Sequence, residues 1–448
     1  MGTREMEEKS KQPEIKERKL KYTIKTFGCQ MNVADSAEME AHLIKRGFIF
    51  TPEREGADLI LVNTCTIREM ADHKAFSFVG KLKPWKEADA SRVLVVTGCG
   101  VERDRKKFQK RFPYVDLLVG AKDIQSFPEL LDRHLKNRFG RFDDIVPAGI
   151  LDGNVEMSQM VTIMRGCNYN CTYCVVPTVR GREIYEPREK ILGEVREKVA
   201  QGAREIWLLG QTVNSYKPPD PPTDDYDFSD LLTELDQVEG LKRIRFASPH
   251  PFYVTEKFAR TMAACSKVCE HIHLPVQSGS NRILSAMKRN YTRETFLAAL
   301  DLLRKHVPNI SITTDFIVGF PGETEKEFKE TLSLVEAAGL DSSFCFKYSP
   351  RPGTPAWELK DDVPNDEKNR RVNLLLELTE KEGREKARAL VGSHQEVLIS
   401  ESKGEDIFRG KTKSSWRVRI KKPGLILGEV YEVGIKSTHS RELHGELV

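Results

Sequence analysis

Apolar runs of strand length recur along most of this chain, and a stretch with helical spacing follows each one. Between residues 20 and 140 the strand-like runs are Tyr22–Phe27, Leu59–Val62, Val93–Val96 and Leu117–Val119. The helical stretches are Asp35–Lys45, Ile67–Leu82, Glu102–Arg111 and Ile124–Leu135. Strands alternating with helices build βαβ units on a parallel sheet, so the class is α/β. A sheet this small is expected in a flavodoxin-like doubly wound form. A second series runs through Val161–Met164, Ile206–Leu209, Ile244–Ala247, His271–Val276, Ile312–Val318 and Phe344–Tyr348, with helical stretches such as Ile191–Gln201 and Glu325–Ala338 between them. Six units are too few for a closed eight-stranded barrel, so a partial, open (βα)6 barrel is expected. The charged helical stretch Val363–Val391 closes it.

From about Gln395 the pattern changes to short alternating segments: Glu396–Ser400, Ile407–Thr412, Trp416–Ile420 and Tyr431–Ser437, with Gly404, Gly410, Gly424 and Gly434 at turns. This reads as a small antiparallel β-barrel. The expected organisation is a disordered lead-in of mixed charge (1–19), a first domain (20–140), a connector (Asp143–Glu156), a barrel domain (153–390) and a terminal β-domain (391–448). Of the 448 residues 39% are hydrophobic, which suffices for real cores. No window reaches about 18 uninterrupted apolar residues, so no membrane span is expected. The start MGTREMEEKSK lacks the apolar stretch of a signal peptide, which makes the cytoplasm the expected location. A net charge of +4 is too weak to diagnose a nucleic-acid partner.

The nine cysteines are odd in number and sit in a large chain, which favours metal or redox chemistry over a disulfide framework. Cys167, Cys171 and Cys174 form a CxxxCxxC in a loop directly after the first strand of the barrel series. Three thiolates on one loop are one short of a closed zinc site, but match a 4Fe–4S cluster with one open iron. A zinc site with a distant fourth ligand, or an ordinary loop of free thiols, are the alternatives. A second set is dispersed. Cys29, Cys65 and Cys99 each follow a strand of the first domain and stand 36 and 34 residues apart, about one βα unit each. All three therefore fall at carboxyl ends of parallel strands, the edge where open α/β sheets bind ligands. The plain alternative is three unrelated core cysteines. Cys265, Cys269 and Cys345 lack such support and read as packing residues.

The CxxxCxxC after the first strand of a partial barrel resembles the radical S-adenosylmethionine (SAM) enzymes. Together with the dispersed set and the terminal β-domain, it resembles the methylthiotransferases over nearly the whole chain. Motifs similar to their tRNA branch, the MiaB-type 2-methylthio-N6-isopentenyladenosine synthases, are Gly28-Cys29-Gln30-Met31-Asn32, Asn63-Thr64-Cys65-Thr66-Ile67-Arg68, Gly210-Gln211-Thr212-Val213-Asn214, Ser248-Pro249-His250-Pro251, His273-Leu274-Pro275-Val276-Gln277-Ser278-Gly279-Ser280 and Gly319-Phe320-Pro321-Gly322-Glu323. Two departures stand out: Ile184-Tyr185-Glu186 after Arg182-Glu183, and Gly410-Lys411-Thr412-Lys413-Ser414-Ser415-Trp416-Arg417 in the terminal domain, which resembles a TRAM domain.

The resemblance implies two 4Fe–4S clusters, one on Cys167, Cys171 and Cys174 and an auxiliary one on Cys29, Cys65 and Cys99. It implies that one SAM molecule methylates a sulfur on the auxiliary cluster while another yields the radical that abstracts hydrogen from C2 of the adenine. An acid–base pair could not activate that carbon, and none is assigned. Polar residues at the carboxyl ends of barrel strands, Gln211, Asn214, Gln277, Ser278, Thr314 and Asp315, are candidate SAM contacts, or else loop anchors. Arg409, Lys411, Lys413, Arg417 and Arg419 alternate along two adjacent strands, with Trp416 and Phe408 available for stacking, as candidate RNA contacts. The alternative there is a solvated sheet face, since residues 394–448 hold ten basic and eight acidic side chains. The implied partners are tRNA, through an anticodon stem-loop carrying prenylated adenosine, and an electron donor such as flavodoxin or ferredoxin. The sulfur source is left open and a monomer is expected. Competing readings are a related enzyme acting on threonylcarbamoyladenosine or on a ribosomal-protein aspartate, and a noncatalytic iron–sulfur RNA-binding protein.

Overall fold

The computed structural model describes residues 20–66, 69–139 and 157–448. The expected lead-in (1–19), Ile67 and Arg68 of the second cysteine motif, and the connector before Met157 lie outside the described residues. The chain divides into two units, residues 1–151 and 152–448.

The first unit carries one five-stranded parallel sheet. Its strands are β1 (Lys21–Thr26), β2 (Ile49–Phe50), β3 (Leu59–Thr64), β4 (Val93–Gly98) and β5 (Leu117–Gly120), in the order β2-β1-β3-β4-β5. That is the flavodoxin-like order, whose ligand-binding switch point lies between the first and third strands. β3 and β4 are fully buried along their length, as strands covered by helices on both faces must be. One face packs Leu59, Leu61, Val93 and Val95 against Leu43 and Phe127, and the other packs Ile60, Val62, Leu94 and Val96 against Val79 and Phe108. The helical stretch expected over Glu102–Arg111 is two helices, Cys99–Arg103 and Arg105–Arg111. The break falls at Asp104, whose carboxylate accepts from the Lys107 N–H and caps the second helix.

The second unit begins with β6 (Ser158–Thr162), β7 (Met164–Arg165), β8 (Ile184–Tyr185), β9 (Glu205–Leu209), β10 (Arg243–Phe246), β11 (His271–His273), β12 (Ser311–Val318) and β13 (Ser342–Lys347). β6, β9 and β10 form one parallel sheet, and β11, β12 and β13 another. A single parallel bridge, Ile244 to Val268, joins the two into one open wall of six strands. β11 is shorter than expected because Pro275 has no N–H to give a neighbouring strand. The helix Glu325–Ala338 falls at its expected bounds, and the closing helix spans Asn365–Ala389.

The terminal domain is a closed barrel of β14 (His394–Lys403), β15 (Ile407–Thr412), β16 (Arg417–Lys421), β17 (Val430–His439) and β18 (Glu442–Leu447). Two features differ from expectation. β18 adds a fifth strand, and it pairs with β16 in parallel, so the barrel is not wholly antiparallel. No helix among the described residues is long and apolar enough to cross a membrane.

Candidate functional site

In the first unit Cys29 follows β1, Cys65 follows β3 and Cys99 opens the helix after β4. These three strands are adjacent and parallel, so the three cysteines share one sheet edge. Cys65 and Cys99 are buried and Cys29 is half-buried. Gly28 brings the first loop onto the second: its φ is +133°, and a Cβ there would lie 2.7 Å from the Cβ of Cys65. Two buried asparagines tie the loops together. Asn32 Nδ2 donates to Asn63 Oδ1 and to the Thr64 carbonyl, both at 2.9 Å, and Asn63 Nδ2 donates back to the Asn32 carbonyl at 2.8 Å. Cys29 Sγ donates to Asn32 Oδ1 at 3.3 Å, and Thr64 Oγ1 reaches the Thr97 carbonyl at 2.6 Å. The motif residues Asn32, Asn63 and Thr64 thus hold the cysteine-bearing edge in register. Polar side chains closing an otherwise apolar strand end were the sequence signal for this role.

In the second unit the CxxxCxxC loop leaves β7 and is folded back by β8. Gly166, at φ +78°, turns the chain where any Cβ would run into the Arg182 carbonyl. The Cys167 N–H then donates to the Gly181 carbonyl at 3.1 Å. Asn168 and Glu183 exchange side-chain and backbone hydrogen bonds across the same return. Ile184 and Tyr185 form the strand that braces this loop. From the other side Thr172 bonds the carbonyls of Ala286 and Met287.

The three loop thiols lie within electrostatic reach of one another. Burial pushes the Cys174 thiol up to about 12, and Cys171 beside it adds to the rise. Burial raises Cys167 as well, again with Cys171 contributing. Cys167 and Cys174 favour the thiolate form only beside strong positive charge, and a bound metal deprotonates a ligating thiol outright. Arg289, which sequence reasoning missed, lies against this set: its Nη1 donates to Cys171 Sγ at 3.2 Å, while Nε donates to Tyr291 OH at 2.8 Å. Among the described residues no three His, Cys, Asp or Glu side chains close on a single ion. Two sets of three soft sulfur donors suit iron–sulfur clusters, each with one iron left open.

The strand-end candidates divide by what they touch. Thr314 Oγ1 donates to the Leu274 carbonyl at 2.7 Å and accepts from the Val276 N–H. Ser278 Oγ accepts from the Ser280 N–H. Asn214 exchanges two hydrogen bonds with the backbone of His250. These three therefore work as anchors of the strand-end loops. Asp315 pairs with His273 at 3.2 Å. Gln277 is buried at φ +76°, where its loop rejoins β12 beside Phe316. Gln211 differs, because its Oε1 is buried with no hydrogen-bond partner among the described residues. A second such atom is Nε2 of His250, whose ring stacks on Tyr169 of the cysteine loop at 4.3 Å. Burial, helped by Arg289, lowers His250 to about 3, so this nitrogen is neutral at physiological pH. Gln211 precedes Thr212, whose Oγ1 lies 3.7 Å from Cys167 Sγ, and orphaned polar atoms such as these are what a polar cofactor would satisfy.

The terminal barrel turns its two expected stacking rings inward. Trp416 is only 7% exposed and, with Phe408, lies in the barrel core, so neither ring is open for base stacking. Lys411 lies over the Trp207 ring at 6.0 Å, and burial lowers its pKa. Lys413 pairs with Glu396 and Arg409 with Glu442, both at 3.2 Å. Arg417 is exposed, and neither it nor Arg419 has a carboxylate partner among the described residues. The register sets Arg409 opposite Arg419 and Lys411 opposite Arg417. Like charges directly opposite are destabilising, which an anion on this face would relieve.

Beneath this face two buried arginines of β10 fasten the terminal barrel to the partial barrel. Arg243 donates to the carbonyls of Lys411 and Glu396. Arg245 donates to the Thr412 and Lys413 carbonyls and to Glu205, at 2.8, 3.2 and 2.5 Å. Burial pushes the Glu205 carboxyl up, but the Arg245 guanidinium more than reverses this and holds it below the usual range.

Residues 161–335 match the Radical SAM superfamily, and residues 21–120 match Uncharacterized protein family UPF0004. A tRNA-2-methylthio-N(6)-dimethylallyladenosine synthase of Clostridium botulinum is 40% identical, covering 95% of this chain and 96% of its own. The enzyme of that name in Carboxydothermus hydrogenoformans is also 40% identical, covering 95% and 99%. Among solved structures, the radical S-adenosylmethionine methyltransferase TsrM of Kitasatospora setae, with cobalamin and a [4Fe-4S] cluster bound, has a TM-score of 0.55 at 15% identity. It covers 84% of this chain and 77% of its own, and the likeness is one of fold. On near-full-length identity, with the two cysteine sets in place, the chain belongs to the family of tRNA-2-methylthio-N(6)-dimethylallyladenosine synthases within the radical SAM superfamily.

Proposed function

We propose that this chain is a tRNA methylthiotransferase that adds a methylthio group to C2 of N6-isopentenyladenosine beside the anticodon. The observation that carries the reading is the pair of three-cysteine sets, each after strands of a parallel sheet, in a chain 40% identical to synthases of that name. Cys167, Cys171 and Cys174 hold one 4Fe–4S cluster, and Cys29, Cys65 and Cys99 the other. With SAM, these clusters supply the radical that removes the C2 hydrogen and the methylated sulfur that replaces it.

The protein's own residues position and insulate. Asn32, Asn63 and Thr64 fix the edge that carries Cys29 and Cys65. Arg289 places a permanent positive charge and a donor against the Cys171 sulfur, where it stabilises negative charge on the thiolate. Gln211 and the neutral His250 offer unsatisfied polar atoms to the SAM molecule, while Asn214, Ser278 and Thr314 hold the loops around it and Gln277 and Asp315 complete the strand ends. The enzyme works as a monomer in the cytoplasm and takes electrons from a flavodoxin or ferredoxin.

Arg417 and Arg419 lead the contact with tRNA phosphates, and Arg409, Lys411 and Lys413 supply the field around them. Binding to a prenylated anticodon stem-loop should therefore weaken with salt. Arg417→Ala/Arg419→Ala should reduce the slope of log affinity against log salt by about 1–2. Fluorescence anisotropy at several salt concentrations measures this. An unchanged slope would remove these residues from the RNA contact.

A further inference from the structure

Strand β13 reads Ser-Ser-Phe-Cys-Phe-Lys, and its two faces have opposite surroundings. Cys345 packs with the main core and lies beside Thr379 of the closing helix Asn365–Ala389, so its face is the helix-covered outside of the partial barrel. By strand alternation Phe344 and Phe346 face the other way, toward the inside. They are 56% and 39% exposed. Single exposed apolar residues are ordinary, but two successive phenylalanines on the inner face of an enzyme barrel are a surface shaped for a ligand.

Their place on that face is defined. Phe346 stands opposite Ile317 and Phe344 opposite Asp315 on β12. Ile317 packs in a small cluster with Tyr173 of the cysteine loop, together with Met287 and Phe320. Phe346 is therefore level with the loop where the radical chemistry is placed. Phe344 is fixed from one side by the ring of His273, edge-on at 5.8 Å. His273 is itself held by Thr313 Oγ1 at 3.0 Å and by Asp315 at 3.2 Å. The rest of the inner face at this level, His273, Thr313, Asp315 and Ser342, is polar.

We propose that Phe344 and Phe346 form the apolar wall against which the dimethylallyl group of the substrate adenosine packs, and so set the preference for prenylated tRNA. The inference rests on the methylthiotransferase reading. A dimethylallyl group is five carbons with no polar atom, and it hangs from an adenine whose other edges are polar. The two rings offer matching apolar surface level with the cysteine loop, and the polar neighbours suit the base. Even one methylene in an apolar pocket is worth about tenfold or more in discrimination, so losing the wall should be readily measured.

The test uses the full chain with its clusters reconstituted and two anticodon stem-loops that differ only in the dimethylallyl group. Affinities are read by fluorescence anisotropy. The wild type is expected to bind the prenylated RNA about tenfold or more tighter than its unprenylated twin. Phe344→Ala/Phe346→Ala should bind the two about equally, while Phe344→Leu/Phe346→Leu, which keeps apolar surface, should retain the preference. A preference that survives unchanged in the double alanine variant overturns the assignment, as does a fall in affinity for both RNAs at a constant ratio. A wild type with no preference overturns the substrate reading and this assignment with it.

Discussion

Cys29→Ala is expected to leave SAM cleavage running while methylthiolation stops, and Cys171→Ala to stop both. The two thiols belong to separate donor sets. Cys29 sits on the sheet edge of the first unit with Cys65 and Cys99, and Cys171 sits on the loop after β7 with Cys167 and Cys174. Removing one thiolate of three strips that cluster and spares the other, so each variant should hold about half the wild-type iron. Cleavage is followed as 5′-deoxyadenosine formed after reduction, and transfer as the mass gain of a prenylated anticodon stem-loop. If Cys29→Ala loses both products, the two sites do not have the separate roles assigned to them.

Arg245→Ala is expected to destabilise the second unit by about 3–5 kcal/mol. Arg245 is 1% exposed and its partner Glu205 is 5% exposed, so the deletion leaves a carboxylate buried without its cation. It also takes the guanidinium donor from the Thr412 and Lys413 carbonyls, and these bonds fasten the terminal barrel. Denaturant unfolding measures the loss. Glu205→Gln in the same chain should recover part of it, because the unpaired charge is then gone and only the bonds to the terminal barrel are missing. Equal losses in the single and double variants would show that the buried carboxylate is not the cause. Lys is a poor substitute at this position, since one ammonium cannot span Glu205 and the carbonyls as the guanidinium fork does.

The order of elements was legible wherever periodicity set it. Short, β-branched apolar runs such as Leu59–Val62 and Val93–Val96 read as strands covered on both faces, and the spacing of Cys29, Cys65 and Cys99 followed from one βα unit per cysteine. Trp416 shows a signal that was present and misread. Arg417, Arg419 and Lys421 alternate with Val418 and Ile420, so period two already turns Trp416 inward with the apolar set. β18 was hidden because Gly445 contributes no apolar signal between Leu443 and Leu447. The clasp of Arg243 and Arg245 was not legible at all. Its partners in the terminal barrel lie more than 150 residues away along the chain and are mostly backbone carbonyls, which no residue type announces. Arg289 escaped for the same reason, since only folding sets it against Cys171.

The most direct measurement is nucleoside mass spectrometry of tRNA from a host that lacks its own methylthiotransferase and carries this chain. The expected result is that the wild-type chain converts N6-isopentenyladenosine to its 2-methylthio derivative, and that the Cys29→Ala chain leaves it unconverted. Unconverted N6-isopentenyladenosine in cells holding cluster-loaded wild-type protein would contradict the assignment of this chain as the methylthiotransferase.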